Sequence, residues 1–373
     1  MHFLELKKQK AVKTMWVKNV KLKNFRNYKE LDINLGKNIN IFYGENAQGK
    51  TNIIESIFLC SMGKSFRTNT EKEMINIEEE NCSIEVEYEK SDRDGKIKIQ
   101  LSNKKNIFLN NIKIKKLSEL LGNINIVIFT PDDIEVIKGG PQNRRKFLDI
   151  MISQLRPNYM HTLTLYKQTI DQRNNYLKQI KEEGKDENLL EIWDEKLAEY
   201  AIKIYNYRKE FIEKIIKKIE KIHKEISNGK EEIKIEYISE CKNKLEYLNL
   251  LKQRRKLDII KGFTTKGIHR DDFVIYINGR QLDIYGSQGQ QRTAILSLKL
   301  SELHVIYDEI GEYPILLLDD FMSELDKSRR QRLIEHIKET QVIITCTDKL
   351  VLENLKYLEY NVQEGKILNK REY

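Results

Sequence analysis

Three short stretches carry side chains whose types and spacing could do chemistry. Gly44-Glu45-Asn46-Ala47-Gln48-Gly49-Lys50-Thr51 fits G-x-x-x-x-G-K-[ST], after the strand-like run INLGKNINIFY and before a helical pattern that opens with Asn52. In such a loop the glycines let backbone N–H groups converge on phosphate oxygens at the positive end of a helix. Lys50 is placed to neutralise β- and γ-phosphate charge of ATP, and the Thr51 hydroxyl to ligate Mg²⁺. Ile315-Leu316-Leu317-Leu318-Asp319-Asp320 reads as a buried strand ending in paired carboxylates. Asp319 is expected to hold Mg²⁺, and Asp320 to polarise the attacking water or accept its proton, so Lys50 and Asp320 form the expected catalytic pair. Ser287-Gln288-Gly289-Gln290-Gln291 opens a long amphipathic pattern about 30 residues earlier. Alone it is an ordinary Ser-capped helix, although serine and N–H groups at a helix N-terminus also bind anions.

The elements that would position these groups alternate in period. Residues 16–43 and 82–114 read as strands, with Asp94-Gly95 and Asn110-Asn111 as hairpin-turn signals in an antiparallel layer. From about 142 to 228 the period is mostly helical, with Trp193, Leu197, Ala201, Ile204, Ile215, Ile219, Ile222 and Ile226 forming one apolar stripe. A strand-like EEIKIEYI, a basic helix around 245–260, the strand FVIYING and a helix from about 290 to 308 follow. The chain therefore reads as a discontinuous α/β fold. Residues 1–149 and 263–373 form its two parts, and a helical lobe is inserted over 150–262.

The 373 residues carry 66 Lys+Arg against 57 Asp+Glu, a net charge of +9. Its distribution says more than its size. Residues 1–30 carry +7, 138–178 carry +6 and 242–266 carry +6, while 71–94 carry −7 and 302–326 carry −8. Separated blocks can present a strong local field, which makes nucleic acid the leading partner; lysines on solvated helix faces are the plain alternative. The four cysteines are isolated, without CxxC spacing, which argues against a disulfide scaffold or a Cys zinc site and suits a reducing compartment. No apolar run approaches the roughly 20 residues that span a bilayer.

The order of P-loop, Ser287 motif, paired aspartates and Ser323-Glu324-Leu325-Asp326 resembles ABC-type ATPases, including SMC-like DNA proteins. The stretch LKNFRNYKELDINLGKNINIFYGENAQGKTNIIESIF is similar to the bacterial RecF family, as are GGPQNRRKFLD (139–149), GIHRDD (267–272), GSQGQQRTAILSLKLSEL and LLLDDFMSELD. The resemblance implies an ABC/SMC-type head with an antiparallel β layer and the inserted helical lobe. It implies an ATP-dependent homodimer in which the signature of one subunit meets ATP on the other. Ser287, Gly289 and Gln290 would then join Gly44, Glu45, Asn46, Ala47, Gln48, Gly49, Lys50, Thr51 and Asn52 as ATP contacts. Weak, slow, DNA-stimulated ATP hydrolysis, duplex or gapped DNA as ligand, and work with RecR and RecO to place RecA are implied as well. So are roles in DNA replication, gap repair and the SOS response, and a cytoplasmic, nucleoid-associated location away from membranes.

The basic triplets Arg144-Arg145-Lys146 and Arg254-Arg255-Lys256 supply DNA-contact candidates, chiefly Arg144, Arg145, Lys146, Arg254 and Arg255. For Arg144 and Arg145, pairing with an acidic residue or sensing of nucleotide stays open, and His269 and Arg270 either support the active site or belong to a hydrogen-bond network. Two rival readings stand beside the main one. A transporter's nucleotide-binding subunit would normally carry a histidine after QVIITCT, where Thr345 and Thr347 occur. A nucleotide-binding scaffold without significant turnover is left room by Asp320 in place of the Glu usual in ABC ATPases. Residues 1–14 precede the point where the family usually begins and read as an extra leader ahead of Met15.

Overall fold

The computed structural model describes residues 13–352 and 355–373, apart from the side chain of Glu324. The expected leader lies outside the described residues up to position 12. Thr14 donates its hydroxyl to the Glu339 carbonyl (2.7 Å), and Met15 is fully buried.

The most apolar runs form a parallel sheet. Ile126–Phe129, Ile315–Asp319, Val342–Cys346 and Ile39–Tyr43 lie side by side in that order, nearly all buried. Strands covered on both faces must be apolar throughout. Tyr357–Gln363 extends the sheet in parallel and Lys366–Glu372 closes its edge antiparallel. Because the neighbours run parallel, Gly44, Thr345 and Asp319-Asp320 gather at the carboxyl ends, where open α/β sheets bind ligands. Alternate side chains face opposite layers. Ile315, Leu317 and Ile343 pack with Ile53, Ile54 and Ile57 of the helix Lys50–Met62. Leu316, Leu318 and Ile344 pack with Leu296, Leu300 and Leu303 of the helix Gln288–Ile310.

The antiparallel layer runs Tyr28–Asn34, Trp16–Phe25, Cys82–Glu89, Asp94–Leu101, Asn106–Leu109 and Ile112–Lys113, and covers the P-loop helix. Asn110 and Asn111 take φ of 49° and 67°, the geometry of the expected two-residue turn. The Asp94-Gly95 expectation needs correction. The turn lies at 90–93, and Asp94 and Gly95 already pair with Glu89 and Tyr88. Gly95 serves close approach instead, since a Cβ there would come within 2.2 Å of the Tyr88 ring.

The helical part comprises Pro141–Leu155, Pro157–Glu183, Glu191–Ile226 and Lys244–Lys261. The helix Pro141–Leu155 runs through position 149/150, so the anticipated boundary falls inside an element. The strand Ile233–Ile238 pairs antiparallel with Asp272–Ile277. The apolar stripe forms a single 36-residue helix. Leu197, Ala201 and Ile215 pack among the other helices, whereas Ile222 and Ile226 pack against Leu296, Leu300 and Leu303. At about 1.5 Å per residue this helix is a strut roughly 54 Å long. It joins the helical part to the helix that carries the Ser287 motif. Buried charges fix the helices to one another. Arg173 donates to Asp194 (2.7 Å), Asp258 (2.8 Å) and Thr264 (2.8 Å), with Arg173 and Asp258 fully buried.

Candidate nucleotide-binding site

The loop 44–51 curls because Gly44, Ala47 and Gly49 all take positive φ, of 150°, 65° and 112°. At Gly44 a Cβ would lie 2.3 Å from the Val362 carbonyl oxygen, so both the backbone angle and the space call for glycine. The loop is held from two sides. Asn27 donates to the Gln48 carbonyl (2.9 Å) and accepts from Asn52 (2.8 Å), while Tyr28 donates its hydroxyl to the Gly49 carbonyl (3.2 Å). Opposite, the hairpin Tyr357–Gln363/Lys366–Glu372 offers its turn: Gly365 N–H donates to the Gln48 carbonyl (3.0 Å) and Glu364 N–H to Gln48 Oε1 (2.6 Å). The Lys50 ammonium donates to the carbonyls of Gly44 and Glu45, each at 2.7 Å, and is almost wholly buried. A lysine ammonium has a third donor, which here is left for a ligand.

Across the loop, the Thr51 hydroxyl donates to Asp319 Oδ1 at 2.8 Å, and Thr345 Oγ1 donates to the same oxygen at 2.8 Å. Asp320 N–H in turn donates to Thr345 Oγ1 (3.0 Å), and Asp320 takes a left-handed φ of 50°. Thr345 thus fixes the Asp319 carboxylate and the Asp320 backbone, whereas Thr347 bonds to Asp348. The sequence left these two threonines undivided; only the strand register separates them. Burial raises the Asp319 carboxyl above its ordinary value, opposed by the hydrogen bonds from Thr345 and Thr51. A hydroxyl and a carboxylate 2.8 Å apart are the hard oxygen donors that Mg²⁺ takes, so Thr51 and Asp319 fit that ion.

A cavity of about 680 Å³ opens over Lys50, Thr51 and Asp320, walled by Arg26, Asn27 and Arg67. Those walls were missed in the sequence. Arg26 makes a two-pronged ion pair with buried Glu55 (3.0 and 2.6 Å), and Arg67 bonds to Asn52 (2.8 Å) and Glu55 (3.3 Å). The only local signal was the run Asn24-Phe25-Arg26-Asn27, where Asn24 and Arg26 take positive φ.

Ser287, Gly289 and Gln290 are absent from that cavity's lining. Ser287 caps its helix, with Gln290 N–H donating to Ser287 Oγ (3.2 Å) and Ser287 N–H to Gln290 Oε1 (3.0 Å). Arg329 holds the motif from behind, donating to the Gly289 carbonyl (3.1 Å) and Thr293 Oγ1 (2.9 Å). Further along the same helix, Lys299 lies between Asp133 (3.3 Å) and Glu302 (3.6 Å). Burial pushes the Glu302 carboxyl up to about 7, against the pull of Lys299. A raised acid stabilises the fold below its ordinary range and loses that contribution as pH climbs from about 4.5 to 7. Glu302→Gln should therefore gain on the wild type between pH 5 and 8, by on the order of 1–3 kcal/mol in urea unfolding. A difference independent of pH would refute the raised value.

The DNA-contact candidates divide. Arg144 requires correction: it is buried, its Nε and Nη2 bound to Asp272 (2.6 and 2.9 Å) and its Nη1 to the Gly139 carbonyl (2.8 Å). A guanidinium buried and engaged in this way is turned away from the surface that would meet phosphate. Arg255 is likewise turned inward, 3.5 Å from Asp194 and 3.7 Å from Glu191. Arg145 is half-buried and donates to the Asp271 carbonyl (2.7 Å), while Lys146 and Arg254 are exposed. His269 lies in a hydrogen-bond network with Tyr166 (2.9 Å) and the Thr264 carbonyl (3.1 Å), and burial pushes it down to about 4. All four cysteines are buried and free. Among the described residues, no helix is long and apolar enough to cross a membrane.

Residues 16–367 match the family model described as the RecF/RecN/SMC N terminal domain. The chain is 46% identical over 368 residues to the DNA replication and repair protein RecF of Clostridium tetani, covering 95% of this chain and 98% of that one. The chain belongs to the RecF family. The Acetivibrio thermocellus RecF is 44% identical over 356 residues, with 92% and 96% coverage. A solved structure described as the recombination mediator protein RecF with ATP in the RecFOR pathway superposes with a TM-score of 0.90 at 40% identity, over 97% of this chain and 99% of that one. The Smc head of Pyrococcus furiosus, at 17% identity and a TM-score of 0.57 with 96% coverage of each chain, shares the RecF fold.

Proposed function

We propose that this RecF-family chain is an ATP-dependent DNA clamp of recombinational gap repair. Two copies would close on duplex or gapped DNA with ATP between them, and slow hydrolysis would release them. One observation carries the reading. Lys50, Thr51 and Asp320 share a cavity in which the Ser287 motif takes no part, which supports a second copy supplying that motif. In this scheme Lys50 and the N–H groups of 44–51 bind the phosphates, Thr51 and Asp319 hold Mg²⁺, and Asp320 orients water with Thr345 as its positioning residue. Mg²⁺, when bound, would offset β- and γ-phosphate charge. Ser287, Gly289 and Gln290 meet the γ-phosphate of the partner. Loss of that contact on hydrolysis supplies the differential binding that a switch requires. The helical lobe over about 150–262 would then move with the signature helix. The relatives described as recombination mediators of the RecFOR pathway support work with RecR and RecO in placing RecA, in the cytoplasm. Sedimentation velocity tests the scheme. The wild type should dimerise with Mg-ATP but not ADP, and Asp320→Asn should hold the dimer for longer. A monomer in every nucleotide state would overturn it.

A further inference from the structure

A second cavity, of about 540 Å³, lies away from the P-loop. One wall is the end of the P-loop helix and the segments after it, with Met62, Lys64, Leu117 and Leu121; the other is helical, with Arg145, Lys146, Tyr166 and Lys167. Five basic side chains, Lys64, Arg145, Lys146, Lys167 and Arg208, reach it against a single carboxylate, Asp149. That carboxylate is already engaged, accepting from Arg208 (2.9 Å) and the Tyr159 hydroxyl. Arg208 is satisfied in turn by Asp149, Tyr159 (3.0 Å) and the Ile268 carbonyl (2.9 Å). His269 adds no charge: its Nε2 faces the Thr264 carbonyl and must carry the proton, so Nδ1 accepts from Tyr166.

Lys64, Lys146 and Lys167 are therefore cations without a carboxylate within ion-pair distance among the described residues, and Arg145 gives only one donor, to a backbone carbonyl. They crowd one another. Lys64 has an exposed side chain at the mouth, yet desolvation and then the charges of Lys167 and Lys146 push its ammonium below the ordinary lysine value. Like charges gathered around a concavity are stabilised by a bound anion, and several at once call for a polyanion. The cavity has no glycine-rich loop to wrap a triphosphate. Lysines contribute point charges that recognise phosphate without reading a base.

We infer that this cavity, between the P-loop helix and the helical wall, seats backbone phosphates of bound DNA, with Lys64 and Lys167 as contacts alongside Arg145 and Lys146. The inference rests on the clamp reading and gives DNA a place on the chain. It also links the two ligands, because Lys64 lies just beyond the helix Lys50–Met62 whose first residues line the nucleotide cavity.

The test is duplex binding by the full chain with Mg-ATP over a salt series, comparing the wild type with Lys64→Ala/Lys167→Ala and Lys64→Arg/Lys167→Arg. Each lost phosphate contact lowers the salt slope by about 0.9, so the alanine pair should lose between one and two units of slope for each copy on the DNA. Affinity at low salt should fall about tenfold or more, and the arginine pair should behave as wild type. Both side chains are exposed, so the melting temperature and ATP-dependent dimerisation should not change. An unchanged slope would overturn the inference while leaving the clamp reading in place. A wild type that binds no duplex would sink the clamp reading and the inference together. Loss of tripolyphosphate binding by the alanine pair, with DNA binding intact, would make this a small-anion site and overturn the DNA assignment.

Discussion

Lys50→Met should abolish ATP-dependent dimerisation while the chain stays folded. Methionine fills the same narrow space, so packing around the loop is largely retained. What goes is the charge, together with the two hydrogen bonds that the ammonium makes to Gly44 and Glu45 at 2.7 Å. Hydrogen bonds to charged groups contribute about 1.5–3 kcal/mol each, so loss of the phosphate contact alone should weaken ATP by about 10- to 100-fold. The dimer should fail at nucleotide concentrations that saturate the wild type. Titration calorimetry would read the affinity and sedimentation the assembly. A Lys50→Met protein that still dimerises with ATP would defeat the mechanism, whatever its hydrolysis rate.

Arg173→Met should cost about 3–5 kcal/mol of stability, the range for removing one partner of a buried ion network. Its guanidinium answers Asp194, Asp258 and Thr264 at once, where the helices Pro157–Glu183, Glu191–Ile226 and Lys244–Lys261 meet. Without it, Asp258 has Thr265 as its remaining partner (2.6 Å) and is fully buried; Asp194 retains Arg255 at 3.5 Å. Arg173→Lys should recover little, because one ammonium cannot span both carboxylates as a planar fork does. Adding Asp258→Asn to Arg173→Met should return part of the loss. Urea unfolding would measure all three, and a loss under 1 kcal/mol for Arg173→Met would show that the network contributes little.

Chemistry packed into consecutive residues was legible; chemistry assembled from distant ones was not. The loop 44–51 and the Asp319-Asp320 pair each carry their meaning in local spacing, and the sheet brings them together as anticipated, with Thr51 on Asp319. The apolar stripe from Leu197 to Ile226 likewise fixed a helix, since a 3.6-residue period needs no partner to be read. The inward turn of Arg144 was not legible because its partner, Asp272, lies 128 positions away, and nothing in GGPQNRRK announces it. Arg255 was lost to Asp194 in the same way. Gly95 misled for a different reason: an Asp-Gly pair looks alike whether it turns the chain or makes room for a tyrosine ring. Arg26 and Asn27 left only the run Asn24-Phe25-Arg26-Asn27, and Arg67 no pattern, as they wall the nucleotide cavity only once the antiparallel layer has folded over the P-loop helix.

The hairpin that holds Gln48 has a consequence for the order of events during synthesis. Glu364 bonds to a residue made 316 positions earlier, and the backbone at Val362 sits where Gly44 has no side chain. A chain leaving the ribosome at roughly 5–20 residues per second would carry its loop 44–51 for tens of seconds before that hairpin emerges. Contacts of such long sequence separation also form late for entropic reasons. The nucleotide site is therefore among the last parts to mature, and ATP cannot template the fold early.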